Sequence, residues 1–332
     1  MEKIYYILFI LFLPIIGRSQ DIHWSQTNEN ALYQNPANSG NIKEDFRATL
    51  SSRDQWRNVT KPYQTQSITL DMVNKYNRNF GYGGIIIHDV TGDGIFRTIE
   101  GRINAAYTFS ESTKRKYKLR IGIDLGWKNI QMNFSNYMFD NQYDGFIYSS
   151  YISTNEKYIT QQKSSVNIGV GLLFTKEITD KLLFTIGTSI FNLNEPNQGF
   201  YNVTVPRFRR YNNYVQGTWE ISNTLKFYPT INYTRQNKYN ELIIGSKFSF
   251  NLLNTSKTKD LLFGMYFRNK DAIFIQLGLQ VNKLICSINY DINTSKLTKA
   301  SNGRGALEIN LQYLWSRKKE KNLMHKKCLD YL

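Results

Sequence analysis

Leu119-Arg120-Ile121-Gly122-Ile123-Asp124-Leu125-Gly126-Trp127-Lys128 alternates without a break. Leu, Ile, Ile, Leu and Trp fall on one face and Arg, Gly, Asp, Gly and Lys on the other, the period of two that defines a β-strand with one apolar side. A charged face opposite a wholly apolar one suits a strand with lipid outside and a polar lumen inside, although a single strand of a soluble sandwich alternates in the same way. Repetition shifts the balance. The pattern recurs at Ile99, Ile103, Ala105 and Tyr107 against Glu100, Arg102 and Asn104, and at Ile273, Ile275, Leu277, Leu279 and Val281 against Gln276, Gly278, Gln280 and Asn282. It closes with Leu307, Ile309, Leu311, Tyr313 and Trp315 against Glu308, Asn310 and Gln312. Similar segments lie at 67–71, 81–89, 165–174, 182–191, 213–221, 225–234, 241–250, 261–268 and 284–292. The reading is all-β: a transmembrane antiparallel β-barrel of about 14 strands in a meander.

Composition agrees. The 332 residues are 41% hydrophobic and 14% aromatic with only six prolines, which argues against disorder and low-complexity classes. A mean hydropathy of −0.46 argues against a bundle of membrane helices, whereas barrel strands average out as hydrophilic. Turn clusters such as Thr91-Gly92-Asp93-Gly94, 254–257 and 301–305 separate the strands at hairpin lengths. Many of the 23 tyrosines, among them Tyr137, Tyr148 and Tyr151, are expected near strand ends, where an apolar ring with a wet hydroxyl suits an interfacial girdle.

The chain divides into residues 1–19 as signal peptide, 20–45 as an N-terminal segment, 46–316 as the barrel and 317–332 as a basic tail. Glu2 and Lys3 lead into the apolar run 4–16, and Gly17-Arg18-Ser19 puts small residues at the −3 and −1 positions of a cleavage site before Gln20. That run, interrupted by Pro14, falls short of the roughly 17–25 residues of a membrane helix. Cys286 and Cys328 are the only cysteines and have no metal or CxxC spacing, so no disulfide framework exists. Cys286 reads as a small apolar side chain on a strand, and Cys328 as a free thiol or an occasional partner of Cys286. The net charge of +16 is partly local, with Arg317, Lys318, Lys319, Lys321, Lys326 and Lys327 crowded at the C-terminus. For an exported chain this excess points to anionic lipid and glycolipid rather than nucleic acid.

No catalytic motif emerges. His23, His88 and His325 are too scattered for a zinc site or triad, and no GxSxG, HExxH or P-loop occurs. Asp89-Val90-Thr91-Gly92-Asp93-Gly94 with Glu100 approaches a calcium loop, but Thr91 breaks the third ligand position, Arg97 puts a cation at the ninth, and strands flank it. A tight hairpin turn is the better reading. Lumen-facing Arg102 and Asp124 can be imagined as a hydrolase site; the simpler account is opposite charges pairing in a polar lumen. Asn35-Pro36 and Asn194-Glu195-Pro196-Asn197 are turn chemistry, structural or shaping partner-binding loops.

The mature N-terminus, Asp21-Ile22-His23-Trp24-Ser25-Gln26 with Tyr33-Gln34-Asn35-Pro36-Ala37 and Gly40, resembles the opening of the PorP/SprF family of type IX secretion system membrane proteins. Arg53-Asp54-Gln55-Trp56, Tyr63-Gln64-Thr65 and 67–71 resemble its next block, and Phe191-Asn192-Leu193-Asn194-Glu195-Pro196-Asn197-Gln198 its mid-chain loop. Tyr266-Phe267-Arg268-Asn269-Lys270-Asp271-Ala272, Tyr290-Asp291-Ile292-Asn293 and 296–303 are similar to its C-terminal signature. The blocks keep family order over nearly the whole mature chain, and the end departs from it: Lys327-Cys328-Leu329 stands where the family often has Cys-Pro. The resemblance implies an outer-membrane barrel of Bacteroidota-type bacteria that supports type IX secretion, gliding motility or surface attachment of a large adhesin. It marks Asn35, Pro36, Arg53, Gln55, Trp56, Asn194, Glu195, Pro196, Asn197, Asp271 and Asp291 as structural or partner-binding positions. Expected partners are outer-membrane lipid, lipopolysaccharide, type IX components and the secreted adhesin, with no cofactor, metal or catalysis. The competing readings are an outer-membrane diffusion channel for small solutes and, below it, a soluble carbohydrate-binding β-protein, with an enzyme last.

Overall fold

A computed structural model describes residues 21–57, 61–92, 96–112, 116–133, 137–155, 161–201, 203–252, 259–295 and 298–317. Residues 1–19, expected to be a signal peptide, and Gln20, Asp93, Gly94, the end of the basic tail, His325 and Cys328 lie outside them. The strands are β1 (Phe46–Gln55), β2 (Tyr63–Val73), β3 (Phe80–Thr91), β4 (Phe96–Ser112), β5 (Tyr117–Gln131), β6 (Gln162–Thr179) and β7 (Leu182–Phe191). They continue as β8 (Arg210–Glu220), β9 (Leu225–Gln236), β10 (Tyr239–Asn251), β11 (Lys259–Arg268), β12 (Ala272–Val281), β13 (Leu284–Asn293) and β14 (Arg304–Trp315). Each pairs antiparallel with its sequence neighbours, and β1 pairs with β14 from Phe46↔Trp315 to Gln55↔Ala306, closing the sheet into a 14-stranded barrel with no free edge.

The alternation sorts outside from inside. On β5, Ile121, Ile123, Leu125 and Trp127 face outward and exposed, while Arg120 and Asp124 face inward and buried. β4, β12 and β14 repeat the division. The strand that the sequence pattern leaves out is β1: its outward positions are Phe46, Ala48, Leu50, Ser52 and Asp54, so its apolar face fades toward one end. Cys286 lies exposed on the outward face beside Leu284 and Ile288, and His88 also faces out. Of the calcium-like stretch, Asp89 to Thr91 lie at the end of β3 and Glu100 on β4, and the two strands pair up to Thr91↔Phe96.

The barrel has two unlike ends. β1 starts and β14 finishes at the termini end, where described hairpins such as Asn282-Lys283 are short, with Asn282 in the left-handed region at φ 54. The opposite, loop end carries the long connections 132–161 and 192–209. A girdle rings the termini end: Phe46 stacks on Trp315 at 5.1 Å, Trp315 on Tyr313 at 5.6 Å, and Phe80 contacts Tyr107 at 4.7 Å. Tyr137, Tyr148 and Tyr151, expected at strand ends, lie instead within the 132–161 loop, where a bridge pairs Tyr148 with Tyr143 and Tyr151 is fully exposed. Tyrosine content alone does not separate girdle from loop.

Candidate functional site

Residues 21–45 do not pack outside the barrel. They run through its lumen from the loop end, where the Asp21 backbone N–H donates to Gln236 Oε1 at 2.8 Å, to the termini end, where the Val73 N–H donates to the Asp45 carbonyl at 2.9 Å. This segment lacks strand alternation and is rich in amides, which satisfy a polar wall without regular backbone pairing. A one-turn helix, Ala31–Gln34, and a 3-10 turn, Pro36–Asn38, occupy its middle.

Three kinds of contact hold it. Trp24 and Tyr33 pack on Ile85 and Ile87, which explains why β3 is apolar on both faces. The turn at 35–39 lies against strand backbone: Asn35 Nδ2 donates to the carbonyls of Leu172 and Thr188 at 2.9 and 3.1 Å, while its Oδ1 accepts from the Ala37 N–H at 2.9 Å. A Cβ on Gly122 would stand 2.2 Å from the Ala37 nitrogen, and one on Gly171 2.0 Å from Asn35 Oδ1, so only glycine admits this approach. Arg120 then clasps the turn, donating to the carbonyls of Ala37 and Ser39 at 3.0 and 2.5 Å.

Buried charges form the third contact. Arg53 donates to Glu308 at 2.9 Å, to Asp291 at 3.0 Å and to Ser25 Oγ at 2.5 Å, and Arg268 reaches Asp291, Asp271 and Glu241 at 3.2, 2.9 and 3.4 Å. Glu308 also accepts the backbone N–H groups of Ser25 and Gln26 at 2.9 and 3.0 Å, so wall carboxylates grip plug backbone directly. Across the lumen, Arg207 bridges Asp21 at 2.7 Å and Glu100 at 3.1 Å, and Glu100 also holds Arg102 at 2.7 Å. Burial favours loss of the Arg207 proton, but the Asp21 and Glu100 carboxylates overcome it and hold the guanidinium above its ordinary value. Arg210 and Arg102 both lie over the Tyr33 and Phe191 rings, at 4.0 and 5.2 Å from Tyr33. Asp124 accepts from Asn104 at 2.8 Å.

Of the family-motif positions, Arg53 and Asp291 meet directly, Asp271 joins them through Arg268, and Gln55 lies over Arg53 beside His23. Asn35 and Pro36 sit buried inside the lumen, with Asn35 bonded to the backbone of β6 and β7. Trp56 follows the end of β1, edge-on to Tyr63 at 4.8 Å. Asn194 Nδ2 donates to the Val166 carbonyl at 2.7 Å and Asn197 Oδ1 accepts from the N–H groups of Gly199 and Val205, so both shape the 192–209 loop. Pro196 gives its carbonyl to the Arg207 N–H, and Glu195 approaches Arg209 at 3.6 Å. In the sequence Glu100 stood out only as the end of a calcium-like stretch and Ser25 and Arg268 only within family-like blocks, while Arg207 and Glu308 had no assigned role; for Glu100, Arg268 and Glu308 the available signal was a charge on the inward face of an alternating strand. The acids in these clusters are engaged by arginines or plug amides, an arrangement for clamping. Among the described residues no group of His, Cys, Asp and Glu is placed to hold a metal ion.

The sequence model of the family described as "Type IX secretion system membrane protein PorP/SprF" matches residues 16–313. No curated protein matches the chain. Among solved structures, the Ralstonia pickettii toluene transporter TbuX aligns with a TM-score of 0.51 at 10% identity, over 86% of this chain and 93% of its own. The Pseudomonas putida toluene transporter TodX aligns with a TM-score of 0.51 at 9% identity, over 89% and 94%. At such identities the likeness is one of fold.

Proposed function

Because the chain belongs to the PorP/SprF family of type IX secretion system membrane proteins, we propose that it works in the outer membrane as a plugged, non-catalytic platform for secretion or surface attachment of a large adhesin-type substrate. The start of β1 and the end of β14, which the even strand number puts on one side, then face the periplasm, and the end with the 132–161 and 192–209 loops, where the plug begins at Asp21, faces outward.

The observation that carries this reading is the lumen threaded from end to end by residues 21–45, fixed by buried ion pairs and by backbone packed on glycine. A diffusion channel needs an aqueous path, and the plug occupies that space. Protein partners are then met by loops and rims, with the lipid face supplying anchorage. The toluene transporters share the barrel, and their cargo is not carried over to this chain.

Deleting the gene and comparing cell-surface and culture-medium proteins tests the role. Selective loss of one large surface protein, with small-solute uptake unchanged, is the expected result. An unchanged surface proteome together with altered solute uptake would return the channel reading.

A further inference from the structure

The outward face of β8 and β9 changes chemistry in steps toward the loop end. Val215 pairs with Ile231, then Asn213 with Tyr233, then Tyr211 with Arg235. Arg209 follows one strand step beyond Tyr211, opposite the turn at Asn237, roughly 7 Å along the strand direction. The order is hydrocarbon, amphipathic ring, cation, which is the order of chemistry that a lipid presents from acyl chain to headgroup. A groove of 580 Å³ opens here, lined by Arg209, Arg235, Tyr211, Tyr233, Asn237 and Glu195.

Its two cations are unlike the arginines of the lumen. Arg235 is exposed and, among the described residues, has neither an acid nor a hydrogen-bond acceptor for a partner. Arg209 is about half exposed; its Nε donates to the Leu193 carbonyl at 3.2 Å and stands 3.6 Å from its nearest acid, Glu195, a loose pair in water that leaves the two terminal nitrogens for a ligand. Two cations at the other rim are answered: Lys226 meets Glu220 at 2.6 Å, and Lys116 meets both Glu177 and Asp180. Planar guanidinium groups with open donors suit phosphate oxygens in bidentate geometry.

We infer that this groove binds a phosphorylated glycolipid of the outer leaflet, its phosphate held between Arg209 and Arg235, its sugar on the Tyr211 and Tyr233 rings and its acyl chains running down over Val215 and Ile231. The assignment rests on the outer-membrane orientation proposed above and not on any role in secretion, so loss of the secretion phenotype and loss of lipid binding are separate outcomes.

The test uses the full-length protein in phosphatidylethanolamine nanodiscs, titrated with bis-phosphorylated lipid A and read by native mass spectrometry. One retained lipid A is expected, with retention falling about tenfold or more in the Arg209→Gln/Arg235→Gln double variant, because charged hydrogen bonds are lost. Glu195→Gln is expected to raise retention. Heat-dependent gel mobility checks that each variant is folded. The unmodified protein supplies an arm that needs no variant: phosphatase-treated lipid A is expected to bind at least tenfold more weakly. Equal retention of the two lipid forms, full displacement by inorganic phosphate, or equal binding of phosphatidylglycerol would each overturn the assignment.

Discussion

The two walls of the lumen hold the same segment by opposite means. On the β5–β6 side the plug touches bare backbone: glycines remove side chains at 122 and 171 so that the turn at 35–39 can lie on the sheet. On the β10–β14 and β1 side it is held at arm's length by long side chains, with Arg53 and Arg268 threading between Glu241, Asp291, Glu308 and Ser25. The first wall works by shape and tolerates no added volume. The second works by charge balance and tolerates no missing partner. A polar lumen can therefore be sealed with only a small apolar cluster, provided that close approach fixes position and buried charges find opposite partners.

The largest expected effect comes from unbalancing the charged wall. Arg53→Met leaves Glu308 and Asp291 buried with one partner fewer, and the folded barrel is expected to lose about 3–5 kcal/mol in urea titrations followed by gel mobility. Adding Asp291→Asn and Glu308→Gln to the same chain is expected to recover much of that loss, since neutral groups of similar shape leave no uncompensated charge. No recovery would mean that the arginine acts through packing rather than charge.

The glycine wall comes next. Gly122→Ala is expected to cost about 1–3 kcal/mol, because its Cβ would meet plug backbone that cannot step aside. Gly101→Ala supplies the contrast: it faces outward with nothing within 4 Å, and a change within about 0.5 kcal/mol is expected. Equal costs at the two positions would remove the steric account of this wall.

The smallest effect sits at the termini end. Asp45 accepts the Arg317 backbone N–H at 2.9 Å, and the Arg78 guanidinium at 2.5 Å, which together hold its carboxyl below the usual value. A depressed carboxyl contributes stability above the ordinary carboxylate range, and that contribution is lost as pH falls through the depressed value. Wild type and Asp45→Asn are therefore expected to differ slightly in stability at neutral pH and to converge under strong acid; a gap that widens on acidification would have the wrong sign.

Much of the barrel was legible because lipid outside and polar lumen inside impose a period of two on every strand. β1 was the exception: Ser52 and Asp54 interrupt its outward face near the loop end, so periodicity fades there. The plug was not legible from periodicity, having none. Its trace lay in the wall instead, in the inward glycines of the Leu119 to Lys128 strand and of β6, which read as ordinary small residues until Ala37 and Asn35 are found against them. Arg53 and Asp291 carried the family likeness, yet their meeting across some 240 positions depends on barrel closure between β1 and β14, which strand spacing alone does not place.

The central claim is that residues 21–45 seal the lumen, and ion conductance of the full-length protein in planar lipid bilayers tests it most directly. The account predicts no steady conductance from wild type, with openings appearing only when Gly122→Leu or Arg53→Met dislodges the plug. Steady, open-channel current from the unmodified protein would contradict it.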